Sequence, residues 1–382
     1  MKTIQLSGAN REEEWNDIAK YDLVIISYSV CNRDIEFIRK TQFNFVILDE
    51  AQHIKNPGTA NAQTCKTIRA KHRLVLTGTP LENSSEDLWS IFDFLHHGML
   101  GSFAGFKRNY ANIADEPFLQ QDLASRVGPF IKRRTKQEVA KELPPKQELT
   151  FFCEMLPEQR TLYEDIRLNG FNMLKNYKKG SAVNTEIFTT LLRLRQICCH
   201  PQLLPDFPGD ENFPSAKMEL LHELLHENID SGHKVLLFSQ FTSILAVIEK
   251  YLQEQNITYE YLDGTTRNRQ QRVDRFNNDE SIKVFLLSLK AGGTGLNLTS
   301  ADTVIIYDPW WNPAVELQAA DRTHRIGQTR PVNSIKLLVR DSIEEKILRL
   351  QEKKQDIFDN VIDNPNISSE KLSFEDLKFL LA

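Results

Sequence analysis

Short runs of consecutive apolar residues alternate with amphipathic segments in the first quarter and in the last two fifths of the chain. Runs of four to seven residues without polar alternation are typical of strands that are buried on both faces. Strands that alternate with helices predict parallel sheets in an α/β fold. The predicted strands are 22–28 (DLVIISY), 43–48 (FNFVIL), 73–77 (RLVLT), 235–239 (VLLFS), 258–262, 284–289, 303–307 and 334–339.

Between residues 96 and 213 no strand pattern is found, and helical patterns dominate at 157–178 and 185–199. The sequence therefore predicts two α/β units separated by an all-α insertion. The predicted boundaries are 1–95 for the first unit, 96–214 for the insertion, 215–340 for the second unit and 341–382 for a helical tail. In the first unit, helices are predicted at 33–40, 59–70 and 84–95.

A chain of 382 residues is too long for one ordinary core, in agreement with two domains. The net charge is −5, so no overall basic character points to nucleic acid, and any such contact must come from local patches. Five cysteines without a disulfide-framework spacing favour a reducing compartment, either the cytoplasm or the nucleus. No apolar run is long enough to span a bilayer, so we expect a soluble protein without a membrane partner.

Two of the predicted strands end in residues suited to phosphate chemistry, and in open α/β sheets chemistry gathers just beyond strand ends. Asp49 and Glu50 follow the strand at 43–48. Asp49 is expected to hold Mg²⁺ together with substrate phosphates, and Glu50 to orient or deprotonate the attacking water. Thr77 ends the next predicted strand, and Gly78 and Thr79 follow it. The alternatives are an acidic helix start and a plain strand-to-helix turn.

The segment 284–331 combines two strands, a glycine-rich turn at 291–295 and a helix that begins at Pro313. Gln318, Arg322 and Arg325 have the spacing i, i+4, i+7, which predicts that all three project from one face of that helix. A phosphate group is a suitable partner because the guanidinium fork matches its oxygens. The alternative is a solvated helix face on which Glu316 and Asp321 neutralise the arginines.

Nine sequence blocks in order resemble the SWI/SNF-type DNA-dependent ATPases, motors of helicase superfamily 2 with two RecA-like lobes. The resemblance implies two RecA-like parallel-sheet lobes with an α-helical insertion between them, and it extends from about residue 21 to 339. The blocks are LDEAQHIKN (48–56), LTGTPLENSSEDLWSIFDFL (76–95), RRTK to ELPPK (133–146), LRQICCHPQL (194–203), VLLFSQF (235–241), LDGTTRNRQ (262–270), AGGTGLNLT (291–299), DPWWNPAVE (308–316) and QAADRTHRIGQ (318–328).

The resemblance implies an ATP- and Mg²⁺-dependent enzyme. Asp49 (Mg²⁺ ligand) and Glu50 would be the Walker B acids, and Gln52 would link the ATP state to the second lobe. Arg322 and Arg325 would be arginine fingers, with catalytic roles alongside these three residues. Contacts to the nucleotide are implied for Thr77, Gly78, Thr79, Gly293, Gly295 and Gln318. Contacts to DNA are implied for Lys290, Asn297, Trp310 and Trp311.

The sequence departs from the family pattern in one respect, because it contains no phosphate loop ending in Gly-Lys-Ser/Thr. We therefore expect the C-terminal portion of a longer motor, with a truncated first lobe that lacks the strands preceding residue 22. Met1 is then an internal codon, and a partner is the missing N-terminal part of the same motor. The basic run Lys132, Arg133, Arg134 and Lys136 is either near DNA or a solvated linker. Cys198, Cys199 and His200 lack the spacing of a zinc site.

Three functions remain open. The first is an ATP-dependent translocase on duplex DNA, of the chromatin-remodelling type, that shifts DNA-bound proteins. The second is a helicase that separates strands, and the third is a non-catalytic DNA-binding fragment of a split motor.

Overall fold

The structure, a computed structural model, describes residues 1–8, 11–78, 85–111, 113, 116–132, 134, 136–175, 185–205, 207, 213–292, 295–310, 313–352 and 374–382. The described residues form two compact units. Unit 1 lies within Met1–Ile131, and unit 2 contains the described residues from Lys132 onward. Among the described helices, none is long and apolar enough to cross a membrane.

Unit 1 is built from short parallel strands and short helices. In its described part, β1 pairs with β2 and β3 pairs with β4, both in parallel. The elements are β1 (Thr3–Leu6), α1 (Arg11–Asn16), β2 (Leu23–Ile26), α2 (Tyr28–Arg33), α3 (Ile35–Lys40), β3 (Gln42–Leu48), α4 (Ala60–Thr67), β4 (Arg69–Val75), α5 (Ser85–Leu95), α6 (Phe103–Asn109) and α7 (Pro117–Val127).

The strands of unit 1 correct two of the predictions. Residues 3–6 form a strand before residue 22, although the sequence had indicated none there. The strands are also not buried on both faces, because one face of β2, β3 and β4 packs on helices while the other carries exposed apolar side chains. We call this surface the open face; it consists of Leu23, Ile25, Phe45, Ile47, Leu74 and Leu76, which are 36–63% exposed.

Unit 2 contains a six-stranded sheet in the order β5-β10-β9-β6-β8-β7, in which every described pair is parallel. The central strands are completely buried, as their uninterrupted apolar runs predict. The strands are β5 (Lys146–Cys153), β6 (Val235–Ser239), β7 (Tyr259–Leu262), β8 (Val284–Ser288), β9 (Thr303–Ile306) and β10 (Val332–Val339).

Strand β5 lies inside the region for which only helices were predicted, and it pairs along its whole length with β10. Its sequence, KQELTFFC, mixes polar and apolar residues because it is an edge strand, so it lacks the apolar run that marks the central strands. The sheet of unit 2 thus takes a strand from the segment before the predicted second domain.

The helices of unit 2 cover both faces of this sheet and form a third apolar cluster with the end of the chain. In that cluster, Ile343 and Ile347 pack with Tyr163 and Leu191. The helices are α8 (Lys136–Val139), α9 (Pro157–Lys175), α10 (Thr185–Cys199), α11 (Ala216–Asp230), α12 (Thr242–Glu254), α13 (Arg269–Asn278), α14 (Leu289–Gly292), α15 (Pro313–Ala320), α16 (343–352) and α17 (Phe374–Leu381).

Candidate functional site

The two predicted acids of unit 1 lie directly after β3. Asp49 is exposed and accepts a hydrogen bond from the backbone N–H of Glu50 through Oδ1 at 3.0 Å. The Tyr28 hydroxyl donates to the Asp49 carbonyl oxygen at 2.8 Å. Burial raises the pKa of Tyr28, and nearby charges including Asp49 and Glu50 add to the increase, so this phenol remains a donor. The turn that carries Asp49 and Glu50, called here the acid turn, is therefore held in place by a hydrogen bond from α2.

Glu50 has φ 50° and ψ 56°, in the left-handed region that side chains other than glycine rarely adopt. Such a conformation costs on the order of 1–2 kcal/mol and persists only where surrounding contacts enforce it. These contacts are a hydrogen bond from the backbone N–H of Ala51 to the Leu76 carbonyl (3.2 Å) and one from the Leu76 N–H to the Leu48 carbonyl (2.8 Å). The end of β4 thus fixes the acid turn that follows β3.

A chain of side-chain hydrogen bonds joins the two predicted motifs of unit 1. The Gln52 amide donates from Nε2 to Glu50 Oε2 at 2.8 Å, and the Thr77 hydroxyl donates to Gln52 Oε1 at 3.3 Å. The structure brings Glu50, Gln52 and Thr77 together in this way. Gly78 is also described, and a Cβ placed there would meet no atom within 4 Å. Thr79 lies outside the described residues.

The donor set at this turn fits a magnesium ion that is shared with a nucleotide. Mg²⁺ commonly takes one or two carboxylates from the protein and its other ligands from phosphates and water. Asp49 supplies one exposed carboxylate, and Glu50 and the Thr77 hydroxyl lie in the same turn region. No cluster of three acidic, histidine or cysteine ligands occurs among the described residues.

The two arginines that were predicted to share a helix face with Gln318 do not lie on a helix. Helix α15 ends at Ala320, and Arg322 and Arg325 lie in the turn that follows. Bonds from the N–H groups of Arg322 and Thr323 to carbonyls three residues back tighten the chain there, at 3.2 Å each. Arg322 is buried and donates from Nε to the Gln318 carbonyl at 3.0 Å, whereas Arg325 is exposed. The prediction that Gln318, Arg322 and Arg325 project from one face of a helix is therefore wrong.

Gln328 holds this turn in place, a role that the spacing argument missed. Its Nε2 donates to the carbonyls of Ala301 (2.7 Å), Thr299 (3.2 Å) and Thr323 (3.3 Å). Its Oε1 accepts the N–H groups of Thr329 and Arg330, both at 2.9 Å. The sequence signal for this role was a glutamine directly after a glycine, Gly327. A glycine turn such as this one, with φ 106°, leaves backbone groups without a hydrogen-bond partner, and a glutamine side chain can supply one.

The turn that contains Arg322 and Arg325 is called here the arginine turn. Lys136, from the basic run, contacts it. Lys136 Nζ lies 2.6 Å from Asp321 Oδ1 and donates to the His324 carbonyl at 3.0 Å. The His324 Nε2 is 2.8 Å from the Pro144 carbonyl. Lys132 and Arg134 are exposed, and Arg133 lies outside the described residues. Lys136 therefore neutralises Asp321 beside the two arginines.

The glycine-rich turn is described only in part. Gly295 has φ 49°, and the exposed Asn297 accepts a hydrogen bond from Asn277 Nδ2 through its carbonyl oxygen at 2.9 Å. Gly292 is required by packing, since a Cβ there would lie 2.4 Å from Phe238 Cε1. Gly293 and the side chain of Lys290 fall outside the described residues.

Trp310 is half-buried and packs against the apolar cluster beneath β6 and β8, while Trp311 is not among the described residues. The backbone N–H of Trp310 donates to Glu316 Oε1 at 2.8 Å, and Gln351 Nε2 donates to its carbonyl. The Arg195 guanidinium lies 6.0 Å from the Trp310 ring and donates to the Pro309 carbonyl at 2.6 Å. These contacts fix Trp310, the first of the two tryptophans for which the resemblance implies DNA contacts.

Behind this segment lies a buried polar network. Lys217 and Glu344 are both completely buried and form an ion pair at 2.5 Å, and Lys217 also donates to the Tyr307 carbonyl at 3.1 Å. Asp308 accepts hydrogen bonds from the Ser239 hydroxyl and the Gln240 N–H. Burial raises the pKa of Asp308, although Arg195 and these donors oppose the increase. Cys198 and Cys199 are buried in the apolar clusters of unit 2.

Two family models match the chain. One, described as the SNF2-related domain, matches residues 1–203, and the other, the helicase conserved C-terminal domain, matches residues 216–327. An uncharacterised ATP-dependent helicase of Mycoplasma pneumoniae is 36% identical over 99% of this chain and 36% of its own length. The human TATA-binding protein-associated factor 172 is 34% identical over 95% of this chain and 23% of its own length.

The structural comparison agrees with these matches. The SWI2/SNF2 ATPase core of Sulfolobus solfataricus, solved in complex with double-stranded DNA, is 34% identical and covers 100% of this chain and 81% of that one, with a TM-score of 0.52. The chain spans about a third of the length of the first curated relatives that it matches.

Proposed function

Since the chain belongs to the SNF2 family of helicase-related ATPases, we propose that it is part of a motor that couples DNA-dependent ATP hydrolysis to movement along duplex DNA. Such movement would displace or remodel proteins bound to the DNA. The observation that carries the proposal is the hydrogen-bonded chain from Glu50 through Gln52 to Thr77. It joins a candidate general base to the turn that would sense the γ-phosphate.

The acid turn of unit 1 would serve the nucleotide. Asp49 would hold the magnesium ion that accompanies ATP, which neutralises phosphate charge when bound. Glu50 would accept a proton from the attacking water, and its left-handed backbone presets the position of that carboxylate. Gly78 would let the β- and γ-phosphates approach the backbone closely. Thr79 and Gly293 would add to these contacts.

The arginine turn of unit 2 would supply positive charge during phosphoryl transfer. Arg322 is held by the Gln318 carbonyl and by burial, which limits its motion, and Arg325 is exposed. Both would stabilise charge on the γ-phosphate, as an arginine finger does. Gln318 and Gly295 would also contact the nucleotide. DNA would be contacted by Lys290, Asn297, Trp310 and Trp311, mainly at phosphates.

The open face of unit 1 supports a further part of the proposal. Exposed apolar side chains on three strands are the expected lining of an interface with another polypeptide segment. A segment that carries the phosphate loop would cover this face and bring its loop beside the strand ends. We propose the missing N-terminal part of the same motor as that partner, because residues 1–382 contain no Gly-Lys-Ser/Thr loop.

The test is steady-state ATP hydrolysis with and without duplex DNA, on this chain and on the chain joined to an upstream phosphate-loop segment. The joined protein is expected to hydrolyse ATP faster when DNA is present, and Glu50→Gln is expected to reduce turnover by 10²-fold or more, an order-of-magnitude expectation for loss of a general base. A joined protein without DNA-stimulated turnover would contradict the proposal. Unwinding of a blunt duplex would instead favour a strand-separating helicase.

A second candidate is a DNA-binding fragment without hydrolysis. It is favoured by the absence of a phosphate loop from the sequence, which removes the amides and the lysine that grip ATP. DNA binding by this chain alone, together with no ATP turnover in either form of the protein, would support it.

A further inference from the structure

Unit 2 contains a cavity of about 430 Å³ between strand β7 and the first turns of α13. The cavity, called here the arginine pocket, has no residue in common with the candidate site described above. It is lined by three arginines, three neutral polar residues and one carboxylate: Arg267, Arg272 and Arg275, then Thr266, Asn268 and Gln271, then Glu260. Three guanidinium groups against one carboxylate leave two positive charges.

The carboxylate organises two of the arginines. Glu260 lies on β7 and is completely buried. Arg272 donates from Nη1 to Glu260 Oε2 at 2.7 Å, and Arg275 Nη1 lies 3.1 Å from Oε1, which makes no well-directed hydrogen bond with any described residue. The arginine side chains remain 46% and 63% exposed, so a ligand can reach them. Each guanidinium has five N–H donors, and the contacts to Glu260 use only part of them.

The third arginine supplies charge that no described carboxylate neutralises. Arg267 is exposed in the loop before α13, and no ion pair joins it to an acidic residue of the described chain. The loop itself is fixed, because Asp263 accepts from the backbone N–H groups of Thr265 (2.8 Å) and Thr266 (3.1 Å). A side chain on a fixed loop loses less entropy on binding than one on a mobile loop.

The start of α13 adds backbone donors to the pocket. The helix has ten residues, and Asn268 at its N-cap makes no side-chain capping hydrogen bond. The first N–H groups of a helix have no partner within the helix, and the helix dipole favours an anion there. Together with the arginines, these donors indicate a tetrahedral anion with several oxygens, because the guanidinium fork matches phosphate oxygens.

We propose that the arginine pocket binds a phosphoryl group. The group is either a phosphate of a duplex DNA backbone or a free polyphosphate. Only the first source rests on the proposed function, since DNA is the partner of the proposed motor. In that case the pocket extends the track of DNA contacts on unit 2 beyond Lys290, Asn297 and the tryptophans.

The test measures binding of a fluorescently labelled duplex of about 30 base pairs to the full chain by anisotropy over a series of salt concentrations. Each phosphate contact contributes a slope of about −0.9 in log K against log salt. Arg267→Gln and Arg275→Gln are each expected to weaken binding and to reduce the slope by about one contact. Arg272 is left intact in both variants, so Glu260 keeps a partner.

Arg349→Gln is the matched control, because it removes one exposed arginine of unit 2 that lies outside the pocket and pairs only with Glu345 among described residues. It is expected to leave the slope unchanged. Thermal melts of all variants check that the fold is intact. A second arm measures binding of inorganic pyrophosphate by calorimetry, with an expected loss of at least tenfold in affinity in the double variant Arg267→Gln/Arg275→Gln.

The arms separate the sources of the phosphoryl group. A reduced salt slope in the pocket variants assigns the pocket to DNA. An unchanged slope with lost pyrophosphate binding assigns it to a free polyphosphate. If the double variant matches the wild-type chain in both arms, the proposal is overturned. A wild-type chain that binds no DNA would count against the proposed function, while the pyrophosphate arm would still decide on the pocket.

Discussion

The parallel strands of the two units differ in how far they are buried. In unit 2, the strands β6, β8 and β9 are completely buried between helices on both faces. In unit 1, the described helices cover one face, and the open face exposes side chains such as Phe45 at 63% and Ile47 at 52%. β2 (LVII) is as apolar as the central strands of unit 2, so its exposure depends on what packs against it, whereas β4 (RAKHRLV) is markedly more polar.

This difference explains how each unit holds its own candidate residues. In unit 2, the arginine turn and the backbone of Trp310 are fixed by buried side chains, namely Gln328, Glu316 and Gln351. In unit 1, Asp49 is exposed and the acid turn depends on a few hydrogen bonds between β3, β4 and Gln52. Unit 2 is therefore expected to be the more stable unit of the isolated chain.

The largest expected effect comes from the buried ion pair of unit 2. Glu344→Leu leaves the Lys217 ammonium completely buried without its carboxylate, which should destabilise unit 2 by about 3–5 kcal/mol. Urea unfolding, with hydrogen exchange to follow each unit, measures the loss. Adding Lys217→Met should restore much of the stability, and Arg349→Gln serves as an exposed control. An unchanged unit 2 in the single variant would contradict the assignment.

A matched pair of leucine truncations compares the two sheets directly. Leu237→Ala, at a position that is 0% exposed, should cost about 2–5 kcal/mol because it removes buried contacts and leaves a cavity. Leu74→Ala, at a position that is 46% exposed, should cost about 0.5 kcal/mol or less. Urea unfolding with hydrogen exchange compares the losses of stability in the two variants. Equal losses would mean that the open face is covered in solution. Joining the phosphate-loop segment should raise the cost of Leu74→Ala.

Acid should weaken unit 2 through a buried histidine. Burial lowers the pKa of His200 from 6.5 to about 4. The unfolded chain therefore binds the proton more readily, so the stabilising contribution is complete above pH 6.5 and is lost as the pH falls towards 4. The loss amounts to at most about 3 kcal/mol, from 1.36 kcal/mol per pH unit.

The comparison for this prediction is His200→Asn, which can still accept the Gln202 N–H that His200 Nδ1 now accepts at 3.2 Å. Unfolding free energies between pH 7 and 4 should fall less steeply in the variant. Parallel profiles for the two proteins would show that His200 does not cause the acid sensitivity.

The smallest expected effect concerns Thr77, in the turn that follows β4 of unit 1. Thr77→Val removes the hydroxyl that donates to Gln52 and should destabilise this unit by about 1 kcal/mol. Thr77→Ser keeps the hydroxyl and is the control. Hydrogen exchange of residues 48–54 should be faster in the valine variant alone. Equal exchange rates in both variants would show that the Thr77 hydroxyl does not stabilise the acid turn.

The sequence predicted most of unit 2. The runs at 235–239, 284–289, 303–307 and 334–339 became central strands with nearly the predicted bounds, because a strand buried on both faces needs an uninterrupted apolar sequence. The SNF2 resemblance, which the family models and the archaeal ATPase core confirm, also followed from local blocks of sequence.

The tertiary structure decided the features that depend on packing partners. The apolar runs of β2 and β3 indicated double-sided burial, but a sequence run does not specify whether a second layer is present. Strand β5 owes its place to pairing with β10 across nearly 190 residues, which its own mixed pattern does not reveal. Arg322 and Arg325 had helical spacing, yet the contacts of Gln328 and Thr323 hold a turn there. Local periodicity reports a preferred conformation, and long-range hydrogen bonds and burial determine which conformation is kept.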